Sequence, residues 1–378
     1  MTTVSTRPRQ LAPDLARGGL LAMIAVANAA LYLYGRPYGV RQHIAETGLL
    51  DRVVSLVQVT LVDSRAYPMF AALFAYGIAA SLRRRVDAGV DQREARRSVR
   101  RRNAWLIAFG FVHAMLLFPG DILGLYGALG FAVLGFTRLR DRTLLALAVG
   151  WLVVVGVLQG FSYSPPPSTQ RTFMLSLVEA DPLRALAGHP VDWLLSPFGL
   201  VGVLSAMLVG VWAARRDVFA DLEAHRDLLV RVAVAGIGIA VLGGLPAGLA
   251  VGEFWTPDGL GARWTVSGVH AVTGVAGGLG YAALVGLLAA RIGQRRGPVV
   301  RAIAACGERS LSCYLFQSVA FVILLKPYTL GLGGVLGSAA TAGLALAVWL
   351  VSVLLADALA RAGRPGPAEA LMRRLTRR

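Results

Sequence analysis

Two ionisable residues interrupt the otherwise apolar stretch at 101–130, RRNAWLIAFGFVHAMLLFPGDILGLYGALG. His113 lies within the first apolar run, and Asp121 opens the second after the turn at Pro119–Gly120. Ionisable side chains are costly in apolar surroundings, so they indicate function. A neutral imidazole beside a carboxylate suits a general base, and we predict His113 and Asp121 as the catalytic pair. The structural alternative is a histidine bonded to a neighbouring helix, with Asp121 capping its own helix.

A polar stripe marks the apolar run at 308–325. Ser310, Tyr314 and Gln317 recur at helical spacing and share one face, and Ser318 flanks them. Polar groups in an apolar helix must face protein or water. We predict that these four side chains line a substrate path; hydrogen bonding between helices is the alternative.

Two further residues are predicted to bind substrate near His113. His270 lies in the apolar segment WTVSGVHAVTG, at a similar predicted depth to His113, and Arg65 lies with Asp63 and Tyr67 at the start of another apolar run. The alternatives are a structural histidine and exposed loop charges. The remaining histidines fall in predicted loops and are expected at the surface: His43, His189 and His225.

Familiar catalytic motifs give no support to several other classes of enzyme. No GxSxG, GxxxxGK[ST] or HExxH occurs, which removes the sequence basis for a standard hydrolase, P-loop protein or zinc protease. No Cys or His spacing suggests a metal site. Cys306 and Cys313, seven residues apart on one predicted helix, would lie about 10 Å apart along its axis. That separation is too large for a disulfide.

The elements that must position these residues are predicted to be membrane-spanning helices. Hydrophobic residues make up 56% of the chain and charged residues only 16%. The apolar runs reach roughly 18–25 residues, the length that crosses a bilayer as helix. We therefore predict an all-α, polytopic transmembrane bundle of about ten spans, with residues 1–378 forming a single integral membrane domain. The predicted spans are 18–36, 64–82, 103–118, 121–137, 143–160, 197–213, 232–251, 265–290, 308–325 and 331–357.

Four segments outside the spans complete the predicted organisation. Residues 1–16 form a basic tail, and DRVVSLVQVTLV at 51–62 suits an amphipathic surface helix. The longest outer loop covers 161–196 and contains SPPPS, which cannot lie inside a helix. A second basic tail covers 358–378, with a short helix after Pro367.

The distribution of positive charge along the chain favours a membrane protein. We do not expect a nucleic-acid partner. The net charge is +17, and 37 of the 38 basic residues are Arg. All but eight of these basic residues lie in the two tails and in every second connection between the predicted spans. We assign these segments to the cytoplasm. This assignment places both termini in the cytoplasm. The eight on the outer side are Arg36, Arg41, Arg52, Arg65, Arg171, Arg184, Arg263 and Lys326.

Four motifs, in an order and spacing that cover nearly the whole chain, point to one family. They are Asp14-Leu-Ala-Arg17-Gly18, His113…Gly120-Asp121-Ile122-Leu123…Tyr126, Ser310-Leu311-Ser312-Cys313-Tyr314-Leu315-Phe316-Gln317-Ser318 and Gly366-Pro367-Ala368-Glu369…Arg373. Together they resemble the YeiB-like bacterial membrane proteins, a family of unknown function. In this family the usual pattern has Thr-Asn where this chain has Ser312-Cys313.

This family is similar to membrane acyltransferases of the heparan-α-glucosaminide N-acetyltransferase type, in which a membrane-embedded histidine moves an acyl group. The resemblance implies a bacterial plasma-membrane acyltransferase with His113 as base and Asp121 as its partner. Tyr126 joins the implied substrate-binding residues. An acyl donor such as acyl-CoA would be a co-substrate, with no permanently bound cofactor. The acceptor would be a small molecule, lipid or glycan near the outer face.

Two other functions remain open from the sequence. A small-molecule transporter or exporter also suits intramembrane histidines and a polar stripe. Against it, the chain has no clear internal repeat of the kind that many transporters contain. A non-catalytic membrane scaffold is the third interpretation, and it predicts that His113 and Asp121 matter for stability alone.

Overall fold

The structure, a computed structural model, describes residues 11–293 and 296–377, and these residues form an all-α bundle with no β-strand. Within these ranges there are fourteen α-helices. They are α1 (Leu11–Ala30), α2 (Leu49–Leu61), α3 (Ala66–Asp87), α4 (Gln92–Leu116), α5 (Leu123–Phe136), α6 (Asp141–Ser162), α7 (Pro182–Leu195), α8 (Val203–Arg215), α9 (Arg226–Val251), α10 (Gly259–Ile292), α11 (Pro298–Glu308), α12 (Ser310–Leu325), α13 (Ser338–Arg361) and α14 (Pro367–Arg377).

Four to six apolar elements among the described residues have the length to cross a membrane. Four are single helices: α6, α9, α10 and α13. Two more are bent pairs, in which α7 with its extension to Leu200 meets α8 at 59° and α11 meets α12 at 85°.

The ten predicted spans each coincide with a helix, but the count of ten is not confirmed. Helix α5 has 14 residues, about 21 Å of helix, which is shorter than a typical hydrocarbon core. Helix α4 is long, but arginines fill its first half. Where the termini lie relative to a membrane therefore stays a prediction.

Three segments that connect predicted spans are wholly or partly helical. In the basic segment 83–102, α3 continues to Asp87 and α4 begins at Gln92, because arginine favours helix and Asp91 caps the new start. The predicted outer loop 161–196 contains α7, capped by Asp181 and opened by Pro182. The segment 291–309 contains all of α11.

Two short helices outside the predicted spans are confirmed. Helix α2 covers most of the predicted amphipathic segment at 51–62 and packs against α9. It leaves Leu50 and Val53 exposed while Val59 is fully buried. Helix α14 begins at Pro367, as predicted.

Helix α3 lies at the centre of the main core. It packs against α1, α8 and α10, and Ala71 and Ala75 are fully buried. Ala206 of α8 is fully buried in the same cluster. Small side chains let neighbouring backbones approach closely, which is how apolar helices pack without long side chains between them.

The C-terminal helix α14 caps the start of α12, at the break between α11 and α12. The Glu369 carboxylate accepts hydrogen bonds from Leu311 N at 2.8 Å, Ser312 N at 3.2 Å and Ser312 Oγ at 2.5 Å. Arg309 donates to the Arg364 carbonyl at 2.8 Å. The first N–H groups of a helix have no partner within the helix. Glu369 therefore supplies from a distant segment the cap that α12 lacks in its own sequence.

The same break corrects the expectation about the cysteines. Cys306 lies on α11 and Cys313 on α12, so the two residues do not share one helix and the distance argument from a continuous helix was wrong. Both thiols are buried and free. Cys313 Sγ lies 3.7 Å from the Ser352 carbonyl of α13.

We expect Glu369→Ala to destabilise the docked tail. Losing a helix cap costs about 1 kcal/mol, so the melting temperature should fall and trypsin should cleave at Arg364 more rapidly. The matched control is Leu371→Ala, which alters an exposed residue of the same helix. Equal cleavage rates for the two variants would contradict the capping role.

Candidate functional site

A hydrogen-bonded chain of three buried side chains links three segments of the bundle. His113 Nδ1 lies 2.8 Å from Asp121 Oδ1, and His113 Nε2 lies 2.8 Å from Ser318 Oγ. His113 and Asp121 are 2% and 1% exposed, and Ser318 is also buried. The two predicted catalytic residues therefore meet, and the predicted substrate residue Ser318 joins them.

The partners of His113 define which nitrogen carries its proton in the neutral imidazole. With the Nδ1 proton donated to Asp121 Oδ1, Nε2 is free to accept a proton. Ser318 Oγ can donate to Nε2 or to the Tyr314 carbonyl at 3.2 Å. This arrangement matches the requirement for a general base, whose partner orients the ring and whose free nitrogen faces a hydroxyl.

Local sequence explains how Asp121 is placed. Its second oxygen, Oδ2, accepts a hydrogen bond from Gly124 N at 2.7 Å, so Asp121 caps the start of α5. The capping alternative and the His113 contact are both present, one on each carboxylate oxygen. A close approach of α4 to α5 makes this possible. A Cβ atom on Gly110 would lie 2.6 Å from Gly124 Cα.

One cavity lies on the side of the long loops, and we call it the loop-side cavity. Its volume is about 120 Å³, and Phe118 and Gly120, which flank the predicted Pro119–Gly120 turn, line one part of it. Polar and charged residues line other parts: Arg41, Gln42, His43, Asp63, Tyr67, Gln159, Tyr163 and Arg171.

A second cavity lies beside the C-terminal helix, and we call it the tail-side cavity. Its volume is about 310 Å³. Three arginines line it, Arg17, Arg102 and Arg373, with Glu308 and Glu369. The predicted substrate residues Tyr126, Ser310 and Tyr314 also line this cavity.

The two cavities follow one another along α1. Leu21 and Ile24 line the tail-side cavity, whereas Ala27 and Ala30 line the loop-side cavity. The His113 ring lines neither. Its centroid lies 6.4 Å from that of Phe118, which lines the loop-side cavity, and 5.0 Å from that of Tyr314, which lines the tail-side cavity.

A second set of polar contacts lies between the cavities. Tyr126 donates to the Tyr67 carbonyl at 2.8 Å, and Tyr67 donates to Asn28 Oδ1 at 2.7 Å. These bonds tie α5, α3 and α1 together. The remaining residue of the polar stripe, Gln317, donates to Ser352 Oγ of α13 at 3.3 Å. The stripe residues therefore have three different roles. Ser310 and Tyr314 line the tail-side cavity, Ser318 binds His113, and Gln317 joins two helices.

His270 and Arg65 form a separate cluster. Arg65 Nη1 lies 2.6 Å from His270 Nε2, and Arg65 Nη2 donates to the Ala240 carbonyl at 2.7 Å. Both side chains are fully buried, and neither lines the loop-side cavity. The structure thus places these two predicted substrate residues where they join α3, α9 and α10, apart from His113.

The expectation that His189 lies at the surface was wrong. His189 is fully buried because it lies on α7, in the segment predicted to be a loop. Its Nδ1 lies 2.9 Å from the Met115 carbonyl, and its Nε2 lies 3.1 Å from Nζ of the fully buried Lys326. The Asp181–Pro182 helix start was the sequence signal that could have found α7.

The other two loop histidines differ from each other. His43 is only partly exposed, lines the loop-side cavity and pairs with Asp63 at 3.2 Å. His225 is partly exposed and lies 2.9 Å from the Asp221 carbonyl of its own turn. In the described part of the chain, no group of three or more His, Cys, Asp and Glu residues is placed to hold a metal ion.

The fold and the buried site define an all-α bundle with apolar helices of membrane-crossing length. Residues 213–378 match a family described as "Protein of unknown function (DUF418)". The chain is also similar to "Uncharacterized protein YxaH" of Bacillus subtilis (strain 168). The two are 26% identical over 339 residues, which cover 83% of this chain and 80% of the relative. Neither description assigns a reaction.

We expect Gly110→Ala to disturb the site by separating α4 from α5. The added methyl group would overlap the Gly124 backbone, and overpacking of this kind costs about 1–3 kcal/mol. The matched control is Gly150→Ala in α6, where an added Cβ meets nothing within 4 Å. Melting temperatures followed by tryptophan fluorescence should fall only for Gly110→Ala; an equal response of both variants would refute the close approach.

Proposed function

We propose that this protein is a membrane-embedded acyltransferase in which His113 acts as general base. The observation that supports it is the Asp121–His113–Ser318 chain, in which the His113 ring lies between a lining residue of the loop-side cavity, Phe118, and one of the tail-side cavity, Tyr314. A base placed between two cavities suits a reaction whose two substrates arrive from opposite sides. The proposed location is the bacterial plasma membrane, with the chain crossing it several times.

The proposed reaction needs only the groups already described. The acceptor hydroxyl or amine replaces Ser318 Oγ at His113 Nε2 and loses its proton to that nitrogen. The acceptor oxygen or nitrogen forms a bond to the acyl carbonyl carbon, and the bond from that carbon to the donor sulfur breaks. His113 returns the proton to the leaving thiolate. Asp121 stabilises the imidazolium that forms in between.

The charges of the tail-side cavity favour it as the donor site. Arg17, Arg102 and Arg373 line it together with Glu308 and Glu369. Guanidinium groups bind phosphate oxygens well, and acyl-CoA carries phosphates at the end distant from its thioester. The loop-side cavity is then the acceptor site.

We expect His113→Ala to abolish product formation in a deletion strain. General base catalysis contributes about 10²–10⁴-fold, so an acylated envelope glycan, lipid or secreted metabolite restored by wild type should stay absent. Asp121→Asn should reduce the product too, because it misorients the imidazole. Ser318→Ala should cost less than His113→Ala, since the acceptor replaces the serine.

The control for this experiment is His225→Ala, which changes a partly exposed histidine far along the chain from the site. Mass spectrometry of the envelope and medium, at matched protein levels, compares the strains. If His113→Ala restores the product as well as wild type does, His113 has no catalytic role.

The second candidate is a small-molecule transporter, and the two cavities favour it. Two cavities separated by buried polar contacts also suit alternating access. Flux of a solute across proteoliposome membranes without any acyl donor would support transport and would count against the acyltransferase proposal. A scaffold predicts that neither flux nor acyl transfer occurs and that His113 and Asp121 affect stability alone.

A further inference from the structure

The loop-side cavity contains a buried cation whose hydrogen-bonding capacity is unused. Arg41 is 6% exposed and lines the cavity. Its Nε and Nη1 atoms are shielded from solvent and have no hydrogen-bond partner among the described residues. The guanidinium lies 4.4 Å from the centroid of the Tyr163 ring, which covers one of its faces. Buried donors without acceptors are costly, so an acceptor from outside the chain would be favourable here.

The neighbouring residue supplies another free donor to the same cavity. Gln42 also lines the cavity, and its Nε2 atom has no partner among the described residues. The side chain is held by its other end, because Oε1 accepts a hydrogen bond from Thr172 N at 2.8 Å. Both residues adopt left-handed backbone conformations, with φ of 59° at Arg41 and 60° at Gln42. Such conformations are uncommon outside glycine and tend to occur at binding sites.

The other charged groups of the cavity define the charge of a suitable ligand. Arg171 uses two of its nitrogens on the chain itself, donating to the Phe173 carbonyl at 2.5 Å and the Leu31 carbonyl at 2.6 Å. Asp63 also lines the cavity and pairs with His43. Two arginines against one aspartate give a formal charge of +1, with His43 left out of the count. A monoanion fits this balance better than a dianion.

The charge on Arg41 persists despite burial. Burial lowers the pKa of the Arg41 guanidinium, whereas nearby Tyr163 and Asp63 raise it. An arginine starts from so high a pKa that it stays protonated at neutral pH. The cation is therefore available to an anion at any physiological pH.

Apolar side chains line the remainder of the cavity. Leu31, Phe118, Val155 and Val203 contribute to it. A ligand that fills this space would bear an apolar body beside its acidic group. Sites for small molecules commonly combine such an apolar lining with a few placed polar groups.

We propose that the loop-side cavity binds the oxyanion of a monocarboxylic acid with an apolar body, with Arg41 and Gln42 as its donors. The assignment of this acid as acceptor rests on the proposed function, and it makes the acceptor a hydroxy or amino carboxylic acid. The carboxylate is anchored on Arg41, and the hydroxyl or amine extends past Phe118 toward His113. The oxyanion of an anionic lipid headgroup shares this chemistry and is the other source to be tested.

The test measures the thermal stability of the full chain in phosphatidylcholine nanodiscs, without any acyl donor. Butyrate and benzoate are compared with butyramide and benzamide, their uncharged counterparts, at constant ionic strength. A ligand in excess over its Kd stabilises by mass action, so the carboxylates should raise the Tm by about 2 °C or more. The amides should raise it less. Arg41→Gln should remove the difference, whereas the control Arg184→Gln, an exposed arginine, should retain it.

The remaining outcomes are decisive as well. If carboxylates and amides act alike on the wild type, the oxyanion site is refuted, even if Arg41→Gln fails to fold. If only nanodiscs with phosphatidylglycerol stabilise the wild type and this requires Arg41, the small-acid assignment is overturned in favour of a lipid headgroup. Because no acyl donor is present, loss of carboxylate binding refutes this site alone, and absence of acyl transfer with intact binding refutes the proposed function alone.

Discussion

The carboxylate of Asp121 is the constraint on which the candidate site depends. One oxygen caps α5 through Gly124 N, and the other binds His113 of α4. A buried carboxylate without such partners would be strongly unfavourable. The helix start and the imidazole orientation are therefore coupled, since neither contact can shift without straining the other. Ser318 extends the chain to α12, so one residue in a short turn relates three helices.

The sequence predicted much of this arrangement and missed its connections. The apolar runs located helices at all ten predicted spans, and the isolated charges in 101–130 indicated His113 and Asp121. Their mutual contact follows from a tight turn. The contact between His113 and Ser318 joins residues 205 positions apart, and helical spacing cannot define which face of α12 meets α4. The same limitation applies to two predicted substrate residues. His270, despite its similar predicted depth, and Arg65 both lie apart from His113.

The errors in secondary structure have a common physical origin. Charge-rich and proline-rich segments were predicted as loops, yet α7 and the first half of α4 are helices with aspartate caps. Helix α12 differs from these two helices, because its cap is not local. It comes from Glu369, 58 residues beyond Leu311. A helix end fixed by a distant residue leaves no local pattern. The break before α12 also explains why Cys306 and Cys313 do not lie on one continuous helix, as the sequence had suggested.

Lys326 is the chain's one lysine, and it is fully buried against His189 and the Ser176 carbonyl. Amine-reactive reagents therefore meet no accessible lysine side chain while the bundle is closed. Any modification of that side chain measures how often α7 separates from the end of α12. The protein thus contains its own chemical reporter of local opening on the loop side, at a single position that peptide mapping can quantify.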